Sequence, residues 1–174
     1  FAEHAWENVE LPIDCGQTMT RPVTVGVMLQ ALGAQRGEVV LEIGSGSGYV
    51  AAVLSRLARR VYSIDRYRTL VDRARSTLDF LGVSSRVEFR LADGLAGWPE
   101  AAPFDRVLLM GAVQALPEEI GRQMAVGGVA VLPVERDGEG LILRLEKLAD
   151  GSFAETLVEK ASFGPLQTGV AREL

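Results

Sequence analysis

Three carboxylates and a run of glycines stand at spacings able to hold a small charged ligand. The segment LEIGSGSGYV, residues 41–50, follows a short valine-rich run and carries Gly44, Ser45, Gly46 and Gly48. Glycines here let the chain turn tightly and bring its N–H groups near a ligand, with the positive end of the next helix behind them. The spacing is GxGxG, and Tyr49 stands where the third glycine of the dinucleotide pattern would fall. Glu42 sits in the strand end, placed to orient the loop or to meet an ammonium group. Asp65 closes the next strand, 21 residues after Gly44, where it can take both hydroxyls of a ribose, and Arg66 adjoins it. Asp93–Gly94 ends a third strand, where a carboxylate can accept from an adenine amino group. Each feature also has a bland reading, a tight strand-to-helix turn for the glycines and a turn aspartate for Asp93.

Taken together, these residues describe a pocket for adenosine bearing a short, charged, non-phosphate chain, which is S-adenosylmethionine. A nicotinamide dinucleotide would call for a pyrophosphate over the helix N-terminus and the longer glycine spacing. The acceptor is narrowed by what is scarce. The chain has one histidine, His4, and one cysteine, Cys15. His4 reads as a surface or packing residue, Cys15 has no obvious histidine partner, and no metal cluster is expected. An amine or hydroxyl acceptor usually needs a base, whereas a carboxylate, with a reference pKa of about 4, is already deprotonated at neutral pH. An enzyme for carboxylates needs hydrogen-bond donors and alignment. The segment LPIDCGQTMTRP, residues 11–22, supplies such donors in Gln17, Thr18 and Thr20, with Pro12, Gly16 and Pro22 setting its bends. It reads as neither helix nor strand, and its composition also suits a plain connector in which Thr20 caps the following helix.

The elements that must position these residues alternate. Strands are expected at 38–43, 60–65, 86–93, 104–111, 127–134, 141–148 and 153–163. Helices are expected at 23–33, at 49–58 with Val50, Val53, Leu54 and Leu57 on one side, at 68–82 stopping at Gly82, and at 116–124 with Pro117 in the first turn. Alternation of this kind predicts an α/β fold: a mostly parallel seven-stranded Rossmann-like sheet, helices on both faces, and an antiparallel C-terminal edge. Ligands bind beyond the carboxyl ends of such strands, after residues 43, 65, 93 and 110.

The 174 residues suit one domain: 1–22 as the substrate and cofactor loop region, 23–134 as the cofactor-binding core, and 135–174 as closing strands and loop. Hydrophobic residues make up 48% and charged ones 24%, and no apolar run approaches the ~20 residues of a membrane span. A net charge of −5 argues against nucleic acid as the main partner, and the arginines at 56–75 read as solvated helix faces. A single cysteine and no signal-peptide pattern fit the cytoplasm. A monomer is expected. The chain opens on Phe1, so an upstream segment is expected to be missing.

The order FAEHAWENVELPIDCGQTMTRP, LEIGSGSGY, VYSID, ADG, APFDRVLLMGA, GGVAVLPV and FGPL resembles the protein-L-isoaspartate O-methyltransferase family from about residue 1 to about residue 169. The resemblance implies methyl transfer from S-adenosylmethionine, leaving S-adenosylhomocysteine, to the carboxylate of isoaspartyl residues in damaged proteins. The ester then collapses to a succinimide that hydrolyses partly to aspartate. By the same resemblance Thr20 stands at the active-site serine, Thr18 and Met19 lie beside the cofactor, and Gly44, Ser45, Gly46 and Gly48 form the glycine loop. It further implies Asp65 as the ribose acid, Asp93–Gly94 as the adenine site, Gly111–Ala112 near the methyl donor, and FGPL (163–166) as the loop closing over the peptide. It also implies a helical segment ahead of residue 1. Thr20 in place of serine adds a methyl group that restricts χ1. Met19 replaces a usual isoleucine, and Val113–Gln114 depart from the family pattern and are expected to reshape the substrate wall. These departures leave two alternatives open: a related carboxyl methyltransferase with one dedicated acceptor, and a binding module without catalysis.

Overall fold

The structure is a computed structural model that describes residues 2–4 and 7–172. After a 3₁₀ turn at Ala2–His4 the chain forms a pair of two-residue strands, β1 (Leu11–Pro12) and β2 (Thr18–Met19), joined antiparallel in the register Leu11↔Met19 and Pro12↔Thr18. The loop expected to be irregular is therefore a small hairpin. Its tip is closed by the Ile13 N–H on the Gln17 carbonyl at 2.9 Å. Cys15 and Gly16 turn the chain there at φ 59° and 63°. Two residues per strand are too few for an alternating pattern to register in a sequence.

Next come α1 (Pro22–Leu32), β3 (Val39–Ile43), α2 (Tyr49–Leu57), β4 (Arg60–Asp65), α3 (Arg68–Phe80), β5 (Val87–Leu91) and β6 (Phe104–Leu109). The chain ends with α4 (Glu118–Gln123), β7 (Met124–Arg136), β8 (Glu139–Lys147) and β9 (Phe153–Lys160). Pro22 occupies the first turn of α1, where its missing N–H costs nothing, and Gly33 ends the helix in the left-handed region. Pro117 precedes α4 as its cap and is not in its first turn.

Seven strands form one sheet in the order β5-β4-β3-β6-β7-β8-β9. The first five are parallel, while β7–β8 and β8–β9 pair antiparallel. The expected fold class is what the chain adopts. From β3 the connections run to β4 on one side and, later, to β6 on the other, so a crevice opens at the C-terminal end of β3. Side chains on the two faces of β3 enter separate cores. Val40 packs with α1, α2 and α3, whereas Leu41 and Ile43 pack with Trp98, Phe104 and Ile120. The buried stripe of α2 is Val50, Ala51, Leu54 and Ser55; Val53 is half-buried and Leu57 is exposed. The stripe lies one residue round from the expected one, because small Ala51 and Ser55 let α2 approach the sheet closely. Among the described residues, no helix is long and apolar enough to cross a membrane.

Candidate active site

The crevice at the strand tips is a cavity of about 470 Å³. Its walls come from the hairpin, the β3–α2 loop, the tips of β4, β5 and β6, and the segment after β9. The cavity is lined by Thr18, Met19, Thr20, Gly44, Ser45, Gly46, Asp65, Arg66 and Gly94. Glu42, Gly48 and Asp93 are not part of its lining.

The glycine loop is held by its own chain. The N–H groups of Gly44 and Ser45 both reach the Ile64 carbonyl, at 2.8 and 3.2 Å. The Gly46 N–H donates to Asp65 Oδ2 at 3.0 Å, and the Gly48 N–H to the Ser45 carbonyl at 2.8 Å. Three of these donors are spent on the end of β4, one of them on a carboxylate, and the fourth within the loop. A diphosphate would therefore find its usual cradle occupied, whereas an uncharged ribose would not. Gly44, Gly46 and Gly48 all have positive φ. Gly48 serves packing: a Cβ there would lie 3.0 Å from Ala74 Cβ and from Leu78 Cδ1 of α3.

Asp65 is buried, and its second oxygen accepts the Tyr67 N–H at 3.0 Å. Burial pushes its carboxyl above the ordinary range, opposed by the N–H groups of Gly46, Tyr67 and Arg66 and by the Arg66 guanidinium. Three N–H groups on two oxygens leave the carboxylate a lone pair for a hydroxyl donor.

Glu42 lies fully buried beneath the loop, on the Val40 side of β3. Ser63 donates to its Oε2, and because that uses the single Ser63 proton, the 2.6 Å contact between Ser45 and Ser63 must have Ser45 as donor. Glu42 thus steers Ser45 through Ser63. Among the described residues its Oε1 has no hydrogen-bond partner. Burial pushes its pKa up to about 8, with the Asp65 charge adding to the rise and the Ser63 hydrogen bond opposing it.

Asp93 caps the short turn that follows it. Its Oδ1 accepts the Leu95 N–H at 2.9 Å, and its Oδ2 accepts the Gly169 N–H at 2.7 Å. Its neighbours Gly94 and Leu95 face the cavity. Gly94 sits so near Ile43 that a Cβ would approach its Cγ2 to 2.4 Å, so only glycine keeps this wall thin.

Thr20 is half-buried, and among the described residues its hydroxyl makes no hydrogen bond. Helix α1 begins after Arg21 without a local side-chain cap, and the Val23 N–H goes instead to Asn8 Oδ1 at 3.1 Å. Thr20 is therefore not the helix cap. Gln17 turns its amide onto the Cys15 carbonyl at 3.1 Å, so that donor is spent within the hairpin. The hairpin tip is fastened to α3 by Asp14 and Arg73 at 2.8 Å. Cys15, half-buried in that tip, has its thiol pushed up by burial and by Asp14 and Asp65.

At the β6 tip, Gly111 touches the closing segment: a Cβ there would fall 2.7 Å from Leu166 Cδ2. Ala112 brackets that segment, donating to the Gly164 carbonyl at 2.9 Å and accepting from the Leu166 N–H at 2.8 Å. Val113 and Gln114, by contrast, leave the cavity. Val113 pairs with β7 through Pro133 and Glu135, and Gln114 is exposed, so neither lines this cavity. Sequence reading missed Tyr67, Leu70, Leu95 and Met110 as walls. Their single-residue signals are those of ordinary core positions. Among the described residues lining the cavity there is no histidine and no lysine.

The parallel-to-antiparallel sheet, the self-satisfied glycine loop and the acid closing β4 define a Rossmann-like S-adenosylmethionine-dependent methyltransferase. The profile of the protein-L-isoaspartate(D-aspartate) O-methyltransferase family matches residues 1–171, and the chain belongs to that family. A protein-L-isoaspartate O-methyltransferase of Maricaulis maris is 45% identical over all of this chain and 81% of its own. Its counterpart in Rhodospirillum rubrum is 43% identical over 98% of this chain and 78% of its own. A solved protein-L-isoaspartate O-methyltransferase superposes with a TM-score of 0.87 at 24% identity, covering 98% of this chain, which spans 56% of that one. A putative protein-L-isoaspartate O-methyltransferase from Plasmodium falciparum, in complex with S-adenosylhomocysteine, superposes with a TM-score of 0.81 at 18% identity over 92% of this chain and 80% of its own.

Proposed function

We propose that this cavity binds S-adenosylmethionine and that the chain methylates the carboxylate of isoaspartyl residues in proteins. On this reading one domain works in three parts: residues 1–22 toward acceptor and cofactor, 23–134 as the cofactor core, and 135–174 as the closing side. When bound, the cofactor supplies a sulfonium-activated methyl group for in-line displacement. The donor chemistry of the site fits it. Asp65 offers its remaining acceptor capacity to the ribose, the Gly94–Leu95 turn and Tyr67 offer a wall to adenine, and the spent loop N–H groups favour a ligand without phosphates. Asp93 then acts on the adenine end by holding Leu95 in place.

The observation that carries the acceptor is that, among the described residues, the Thr20 hydroxyl is unspent and the cavity lining holds no histidine and no lysine. A carboxylate needs no base, and a positioned hydroxyl can donate to one of its oxygens while the other attacks. Loss of such a donor to a charged group costs about 1.5–3 kcal/mol. The extra methyl of Thr20 is the remaining ground for a narrower acceptor range than serine would give.

The test supplies methyl-labelled S-adenosylmethionine and two peptides that differ only in isoaspartate against aspartate, and counts the methanol released by mild base. Label from the isoaspartyl peptide alone supports the proposal. Label from neither peptide, in a preparation that binds S-adenosylhomocysteine, would reject it and leave a different acceptor or a silent binding module.

A further inference from the structure

The segment after β9 does more than cover the cavity. Residues 161–171 cross the strand tips as a strap without helix or strand of its own. Ser162, Gly164, Pro165 and Gln167 line the cavity. Its upstream part is fastened at Ala112, as described above. Its downstream part converges on one residue. The Gly169 N–H donates to Asp93 Oδ2 at 2.7 Å, and the Gly169 carbonyl accepts from Arg66 Nε at 3.1 Å. Arg66 also donates to Gln167 Oε1, and the Arg66 carbonyl accepts the Ala171 N–H at 2.9 Å. Beyond Leu166, among the described residues, the strap's hydrogen bonds to the sheet all run to Arg66 and Asp93.

Those two residues occupy the tips of adjacent strands, β4 and β5. Arg66 follows the ribose acid, and Asp93 holds the Leu95 wall with its other oxygen. The geometry points to Gly169 as the latch of a strap that Arg66 and Asp93 hold shut over the adenosine end of the cavity and that opens for cofactor exchange. This rests on the reading of the cavity as an S-adenosylmethionine site. Opening is feasible because the strap beyond Leu166 is largely exposed and held by few bonds, the properties of segments that open without global unfolding. Ligand against Asp65 and the Leu95 wall stiffens the two tips that grip Gly169, so cofactor binding and strap closure favour one another. Arg66 and Asp93 are in this respect positioning residues, setting how long the cofactor stays.

Gly169 is the place to test this. It adopts φ +75°, a Cβ there would meet nothing within 4 Å, and the residue does not line the cavity. A substitution therefore acts on the backbone grip and not on packing or ligand contact. Gly169→Pro removes the N–H and forbids the observed φ. The experiment measures S-adenosylhomocysteine release by stopped-flow chase, together with amide hydrogen exchange over residues 161–171 with and without that ligand. In the unaltered chain, ligand slows exchange of the strap. In Gly169→Pro that added protection disappears and release quickens about tenfold, the loss expected for one hydrogen bond to a charged group, while association does not slow. Gly169→Ala, a milder strain, shifts release in the same direction by a few-fold and covers the case in which the proline variant does not fold. Release within twofold of the unaltered chain in the folded variants, or strap exchange indifferent to ligand, overturns the latch. Failure of the unaltered chain to bind S-adenosylhomocysteine overturns the cofactor reading itself, and the latch with it.

Discussion

The Asp65 carboxylate ties the glycine loop to the end of β4, accepting the Gly46 N–H on Oδ2 at 3.0 Å while Oδ1 holds the Tyr67 N–H. One side chain thus shapes the loop and presents its remaining lone pair to the cavity. Asp65→Ala is expected to weaken S-adenosylhomocysteine binding by about a hundredfold, the loss of a hydrogen bond to a charged acceptor. Asp65→Asn should fall between, since its amide keeps one acceptor oxygen. Titration calorimetry checks both, and an alanine variant that binds like the unaltered protein removes Asp65 from the site.

The same residue sets a pH dependence. Burial raises the Asp65 pKa, so acidification protonates it before an unperturbed aspartate would titrate. Cofactor affinity therefore falls as pH drops and begins to fall above the range of a free aspartate. Asp65→Asn should flatten the profile. A profile equally steep in both proteins points to another titrating group.

Glu42 makes a prediction about stability. Its folded pKa of about 8 lies above the ordinary carboxylate value, so the folded state holds a proton that the unfolded state has already released. That contribution is full below the unfolded pKa and is lost as pH rises toward 8, so the protein should become less stable between about pH 5 and pH 8 on this account. Glu42→Gln keeps the shape and the acceptor for Ser63 without the ionisation. Its unfolding free energy in denaturant should exceed that of the unaltered protein at pH 8.5, by an amount on the order of a few kcal/mol, and approach it at pH 5. A difference that does not change with pH would count against a buried titrating carboxyl.

Gly48 and Gly127 both sit at positive φ, 82° and 76°, but only Gly48 faces a crowded neighbour. Gly127→Ala should cost about 1–2 kcal/mol, the strain of a left-handed alanine. Gly48→Ala adds overpacking against Ala74 and Leu78 and should cost about 1–3 kcal/mol more. Equal losses in urea unfolding would show that α3 gives way more readily than its packing implies.

Much of this site was legible because its parts are local. Valine-rich runs ending in glycine or aspartate mark strand tips, and strand tips are where a doubly wound sheet binds ligands. Gly44, Gly46, Asp65 and Gly94 follow from that rule alone. What escaped depends on partners far along the chain. Asp93 looked like an adenine ligand because nothing in its surroundings reveals Gly169, 76 residues later, taking its second oxygen. That Val113–Gln114 lie outside the cavity was not legible either, because the pairing of Val113 with β7 is non-local. Glu42 was correctly tied to the loop, but its route through Ser63 appears only when β3 and β4 are aligned side by side. The resemblance in the hairpin sequence located Thr20; only the structure shows that Asn8 meets α1 at its N-terminus and that, among the described residues, nothing bonds that hydroxyl.

Thr20 carries the last expectation. Among the described residues its hydroxyl is unspent in the cavity wall, and on the proposed reading its part is to align an acceptor. Thr20→Ala should lower turnover with isoaspartyl peptide by about 10–100-fold, the worth of one hydrogen bond to a charged group. S-adenosylhomocysteine affinity should change far less, because ribose and adenine contacts lie elsewhere. Thr20→Ser should retain turnover, since it keeps the donor and relieves the methyl group's crowding. Thr20→Val, nearly isosteric with threonine, distinguishes donor from filler: if the valine enzyme turns over like the threonine one, the hydroxyl has no part in aligning the carboxylate. If valine fails and serine works, alignment by a single hydroxyl is what this site contributes to the acceptor.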